Sequence, residues 1–213
     1  MKQLLRFQPH TTDFALPYLL TRPDNSEGEC LPMIVFLHGA GERGSDGRNL
    51  DVHGIPRYFG HNALYMDQRV ITLSPQCPEE EIWSNFPSAI MELILAVAKR
   101  EQADMNRISI TGISMGGFGT WSMLARYPDF FCAAAPLCGG GVSWYINTKT
   151  PIRAFHGDAD MAVPLIYSQL MVDTVNARGG HAELTIYPDC PHDCWTLTYE
   201  QTNLIPWLAT TGK

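Results

Sequence analysis

The chain contains no run of about 18 apolar residues, the length a helix needs to cross a bilayer. Its opening residues, Met1 to His10, lack the apolar stretch and small-residue cleavage site of a secretion signal. Both absences point to a cytoplasmic protein with no membrane partner. Basic residues are few. Fifteen Lys and Arg stand against 22 Asp and Glu, the net charge is −7, and no Lys/Arg run occurs. Such a surface repels phosphate backbones and argues against nucleic acid as the main partner. No internal repeat or low-complexity linker interrupts residues 1–213, which read as one domain, long enough for one core and short for two. The six cysteines do not call for a disulfide framework in a chain of this size, so free thiols are the reading. Cys190, His192 and Cys194 imitate a zinc cluster, but no second ligand pair completes a structural site, and neither metal nor cofactor is expected.

What remains is an ordinary globular composition, 45% apolar and 17% charged. Strand-like and helix-like segments alternate, the pattern of an α/β fold with a mostly parallel, twisted sheet and helices on both faces. Leu4–Phe7 and Phe14–Leu20 read as an antiparallel edge pair, Pro17 fitting an edge or bulge. Pro32–His38 is a continuous apolar run, as in a strand buried on both faces. Gly39–Gly47 is a Gly-rich loop and Val70–Ser74 another strand. Phe86, Ile90, Leu93, Ile94 and Val97 recur at helical spacing over Phe86–Gln102. Arg107–Thr111 alternates like a strand, and Met115–Arg126 reads as a helix ending before Tyr127-Pro128. Cys132–Leu137, Pro151–His156 and Glu183–Tyr187 are further strands, and Leu165–Ala177 a helix. Short helical pieces fill Trp195–Leu208, with Asn203 placed to cap the last.

One motif carries chemistry. Gly112-Ile113-Ser114-Met115-Gly116 matches G-x-S-x-G, which roughly one random chain in fifteen of this length would contain. Its context is the stronger signal: it follows a strand and opens a helix, as the nucleophile elbow of the α/β-hydrolase fold requires. A serine hydroxyl needs a base, and in this fold the acid and then the histidine follow the serine along the chain. Asp158 or Asp160 supplies the acid after one strand, and His192 the base after the next. His38 and His156 end strands directly, and the remaining histidines lie outside the expected slot. An oxyanion needs donors. Met115 N–H is one, and Ala40 N–H, with Gly41 as the neighbour that could replace it, the other.

His38-Gly39-Ala40-Gly41-Glu42-Arg43-Gly44 resembles the H-G-A-G-E-R-G loop of small phospholipase/carboxylesterase and dienelactone-hydrolase-like α/β-hydrolases, some described as peptidases. Pro75-Gln76-Cys77-Pro78 with Trp83, the elbow itself, His156-Gly157-Asp158-Ala159-Asp160 running to Val163-Pro164, and His192-Asp193-Cys194-Trp195 resemble their other conserved segments in order. The resemblance, from about His38 to Trp207, implies Asp160 as the acid and His192 as the base. It implies a small-molecule ester substrate without naming it, and says nothing of oligomeric state. Two other readings stand beside a carboxylic-ester hydrolase. A peptidase of the prolyl-oligopeptidase type usually carries a large access-restricting domain, absent here. A non-catalytic binding protein of this fold usually loses a member of the triad. Residues 138–150 are too few for a lid domain, so an open, shallow site is expected, with Trp83, Trp144 and Tyr145 as an aromatic wall.

Overall fold

The computed structural model describes residues 2–7, 16–60, 65 and 67–213. Among the described residues eight strands form one sheet: β1 (Lys2–Phe7), β2 (Pro17–Arg22), β3 (Leu31–Leu37), β4 (Ile71–Pro75), β5 (Ala103–Ile113), β6 (Ala133–Leu137), β7 (Ile152–Gly157) and β8 (Ala182–Tyr187), in the order β1-β2-β4-β3-β5-β6-β7-β8. β1 and β2 pair antiparallel, β2 runs antiparallel to β4, and every pair from β4 to β8 is parallel. Pro17 is the first residue of β2, where its missing N–H interrupts no ladder. Of the expected second strand, residues 14 and 15 lie outside the described residues.

Helices cover both faces. α2 (Pro87–Glu101), α3 (Met115–Arg126) and α4 (Ile166–Ala177) bury their apolar stripes on one side, with Met33, Val35 and Leu37 of β3. α1 (Gly54–Gly60), α5 (Trp195–Gln201) and α6 (Leu204–Thr210) pack on the other, against Ile34 and Phe36. Successive β3 side chains therefore serve opposite cores, which is why its sequence is apolar without alternation. Along α2, Ile90, Leu93, Ile94 and Val97 are all buried, each contributing about 1.5–3 kcal/mol of apolar transfer. Pro87 starts that helix and Gln102, in the left-handed region, ends it. One element escaped the sequence reading, and one reading needs correction. Gly54–Gly60 is a helix that its two glycines and a proline conceal. Asn203 stands at the start of α6 but spends its side-chain oxygen on Arg153 instead of capping.

Candidate active site

The parallel strands carry the site at their carboxyl ends, where open α/β sheets gather their ligands. β5 delivers Ser114 directly into α3. Ser114 has φ 53° and ψ −116°, outside the comfortable range of a residue with a side chain. Its amide is held by the Leu137 carbonyl of β6 at 3.0 Å, and its own carbonyl accepts from Phe118 N–H. The glycines of the motif have a steric cause. A Cβ on Gly112 would overlap the Gly116 carbonyl, and one on Gly116 would overlap the Leu37 carbonyl of β3. The turn is thus tight enough to project Ser114 Oγ from the start of a helix, whose N-terminus favours negative charge.

The residues expected to partner it meet there. His192 Nε2 lies 2.8 Å from Ser114 Oγ, and His192 Nδ1 lies 2.7 Å from Asp160 Oδ2. Asp160 is buried, and its Oδ1 accepts Ala162 and Val163 N–H, both at 2.9 Å. Burial pushes the Asp160 carboxyl up, but the His192 bond and the two backbone donors outweigh it and hold the group below the usual carboxylate range. Asp158, the other candidate, is exposed on the turn after β7. Asp193 fixes the chain beyond His192: its carboxylate accepts Thr196 N–H and Thr196 O–H in the first turn of α5. The Trp195 ring stands nearly perpendicular to the His192 ring, 5.4 Å away.

Ala40 opens a single 3-10 turn, Ala40–Glu42, with its first two residues exposed, facing the elbow across Gly39. Met115 is half-buried as the first residue of α3. Two residues that sequence reasoning passed over hold this loop, and the H-G-A-G-E-R-G and P-Q-C-P segments were their only signal. His38 Nδ1–H donates to the Gly39 carbonyl, and Nε2 accepts Cys77 N–H at 2.9 Å. Burial depresses His38 to about 4, so the ring is neutral. Gln76 donates to the Glu42 and Arg48 carbonyls and accepts from Gly47 N–H. Glu42 is buried behind the turn, its carboxyl pushed up by that burial.

The expected aromatic wall divides. Trp83 is buried, with Nε1 donating to the His38 carbonyl and its Cβ closing against Gly119. It packs the loop in place and offers one edge to a trough of about 310 Å³, shared with Ile82, Ser84, Met115 and Phe118. Beyond Phe118 a second apolar trough, about 410 Å³, runs along α3 past Trp121 to Tyr145 and Met171. Tyr145 lines it; Trp144 is exposed without lining it. The chain between β6 and β7 is loop with one short turn, Ser143–Tyr145.

Cysteines 190 and 194 do not assemble a ligand set around His192. Among the described residues, one cluster brings three ligand atoms within 4.8 Å of one another: Cys138, Asp160 and His192. His192 Nδ1 and Asp160 Oδ2 already share a hydrogen bond, and burial holds the Cys138 thiol well above its ordinary range. These donors fit a hydrogen-bonded relay better than a resident metal, which needs a free imidazole nitrogen and a thiolate.

This sheet order, with its elbow and its serine at a helix N-terminus, is the α/β-hydrolase fold. Residues 67–196 match the dienelactone hydrolase family, and the chain belongs to that family. It is 32% identical to a thermostable esterase of known structure, with a TM-score of 0.82, covering 99% of this chain and 63% of that one. It is 24% identical over 147 residues to a Methylorubrum extorquens protein assigned by inference as a carboxymethylenebutenolidase, covering 60% of this chain and 46% of that protein. A 94-residue stretch is 38% identical to poly(3-hydroxyalkanoate) depolymerase C of Paucimonas lemoignei, 44% of this chain and 21% of that enzyme. The chain thus spans less than half the length of these curated relatives. No helix among the described residues is long and apolar enough to cross a membrane.

Proposed function

We propose that this chain is a serine hydrolase of carboxylic esters, with Ser114 as nucleophile, His192 as general base and acid, and Asp160 as its orienting carboxylate. The observation that carries the reading is the relay itself: Ser114 Oγ, His192 and Asp160 joined by contacts of 2.8 and 2.7 Å at the N-terminus of α3. In the proposed reaction Ser114 Oγ attacks the ester carbonyl as its proton passes to His192 Nε2. Asp160 stabilises the imidazolium that forms. Met115 and Ala40 N–H groups receive the oxyanion. His192 then returns the proton to the leaving alcohol, and water releases the acyl group by the same route. Six free cysteines support a reducing, cytoplasmic setting.

The trough beside Met115 supports a compact acyl group. It opens beside Met115, the residue after Ser114, and in this reading takes the acyl side of the ester. Ile82, 45% exposed, leaves one wall open to water. A long chain running past that wall forgoes about 0.8 kcal/mol for each methylene left unburied. A fluorophosphonate probe and an aryl-ester series test the proposal. The probe is expected to label Ser114, and Ser114→Ala to lose labelling and on the order of 10⁶-fold in turnover. Acetyl to butyryl esters are expected to have higher kcat/KM than decanoyl esters. An unlabelled wild-type protein sinks the hydrolase reading; a long-chain preference sinks the compact acyl site alone.

A further inference from the structure

His156, at the end of β7, is fully buried, and its neighbours settle where its protons are. Nδ1 lies 2.7 Å from Ser168 Oγ at the start of α4. Nε2 lies 2.8 Å from the Val163 carbonyl and 3.3 Å from Asp160 Oδ2. Ser168 Oγ lies 2.8 Å from the Gly139 carbonyl, beyond the end of β6. Carbonyl and carboxylate oxygens only accept, and a serine has one proton to give. Ser168 gives that proton to Gly139, so it can only accept from His156 Nδ1. Both neighbours of Nε2 also accept. A neutral imidazole carries a single N–H and leaves one of these contacts with two acceptors face to face in a site closed to water.

We infer that His156 is a buried imidazolium, paired with the Asp160 carboxylate that also serves His192, and that it is a positioning residue for the reaction. Its role rests on the ester-hydrolase reading; its protonation state does not. His156 ties three segments together: the Asp160 loop through Val163, α4 through Ser168, and through Ser168 the Gly139 backbone that packs against Gly117 of α3. It also sets a charge. His156 and His192 both reach Asp160 Oδ2, so their nitrogens are at most about 6 Å apart, the range over which one charge alters another group's titration.

Asp160 is the charged group facing His156. α4 presents the Ser168 hydroxyl, and the Val163 and Gly139 carbonyls complete the surroundings. Around Asp160 and His192 stand the Cys138 thiol, within 4.8 Å of both, the Cys194 thiol hydrogen-bonded to it, and the neighbouring Asp193 carboxylate, which binds Thr196. A fixed cation at this place opposes a second positive charge on His192. Removing it moves the acid limb of kcat/KM upward by about one pH unit.

Long-range ¹H–¹⁵N spectra of histidine-labelled protein at neutral pH, with His156 assigned through its backbone, test the protonation directly. Both ring nitrogens are expected to be protonated, in wild type and in Ser114→Ala alike. Aryl-ester pH profiles of His156→Gln are expected to show the raised acid limb, with Asp158→Asn as a control that leaves it unmoved. A neutral His156 ring in the wild-type spectrum overturns the inference, even where His156→Gln does not fold. So does a folded His156→Gln enzyme with an unmoved acid limb. Wild-type protein that hydrolyses no ester refutes the functional reading instead, and the spectrum still decides the charge on His156.

Discussion

Asp160 and Asp158 are two residues apart on one turn, yet the fold gives them opposite fates. Asp158 faces solvent, while Asp160 is buried under two backbone N–H donors and aimed at His192. The carboxylate that orients a catalytic histidine fixes its tautomer and stabilises its charged form. Asp160→Asn is therefore expected to lower kcat by on the order of 10⁴-fold, whereas Asp158→Asn changes it little. Steady-state kinetics on the two variants check this; the reverse ranking would assign the acid to the other residue. The family resemblance implied Asp160, but burial and the two N–H donors are properties of the folded turn that no local sequence pattern contains.

The β5–α3 connection is the element on which the site depends. Its strain at Ser114 persists because β3, β6 and α3 close in around it, leaving room for glycine alone at positions 112 and 116. Gly116→Ala drives a methyl group into the backbone of Leu37 and His38, neither of which is a flexible side-chain tip. The cost is expected to be about 1–3 kcal/mol or more, with activity falling as Ser114 is displaced. Gly41, with nothing within 4 Å of an added Cβ, provides the contrast: Gly41→Ala leaves thermal stability unchanged. Thermal unfolding of both variants measures the difference, and equal melting temperatures would refute the close approach. The elbow was legible because its spacing of two glycines around a serine, between a strand and a helix, is a local pattern, although the backbone that excludes a Cβ at position 116 comes from distant β3. The helix at Gly54–Gly60 was not, because its stability comes from Ile55, Tyr58 and Phe59 docking on the sheet and not from propensity.

At the scale of the whole molecule, His38 couples folding to pH. Burial depresses its folded value to about 4, against about 6.5 in the unfolded chain. Below pH 6.5 the unfolded state takes up a proton that the folded state refuses, so stability falls as pH drops toward 4, by about 3 kcal/mol from this residue. Glu42, pushed up by burial beside it, works in the opposite direction, so a comparison with a variant isolates His38. Urea unfolding at pH 7 and pH 4.5 is expected to show a steeper loss for wild type than for His38→Asn. Equal losses would refute the buried neutral ring. Acidification should thus loosen the loop proposed to bind the oxyanion, through the same histidine that holds it to Cys77.

The sequence by itself determined the alternation of strands and helices, the elbow at Ser114 and the order in which acid and base follow it. These rest on hydrophobic periodicity and on a local motif, a strand, a Gly-x-Ser-x-Gly turn and a helix in succession, that can be read without knowing what packs around it. Tertiary structure alone decided that Trp83 lies beneath the Ala40–Glu42 loop, that Tyr145 borders a trough while Trp144 stands outside it, and that His38, Gln76 and His156 brace the candidate site. Those outcomes depend on which buried groups meet once the chain has folded, as His38 meets Cys77 and Trp83, 39 and 45 residues away. A hydrogen bond within a buried network is fixed by where every partner's proton already points, and that count exists only once the chain has folded.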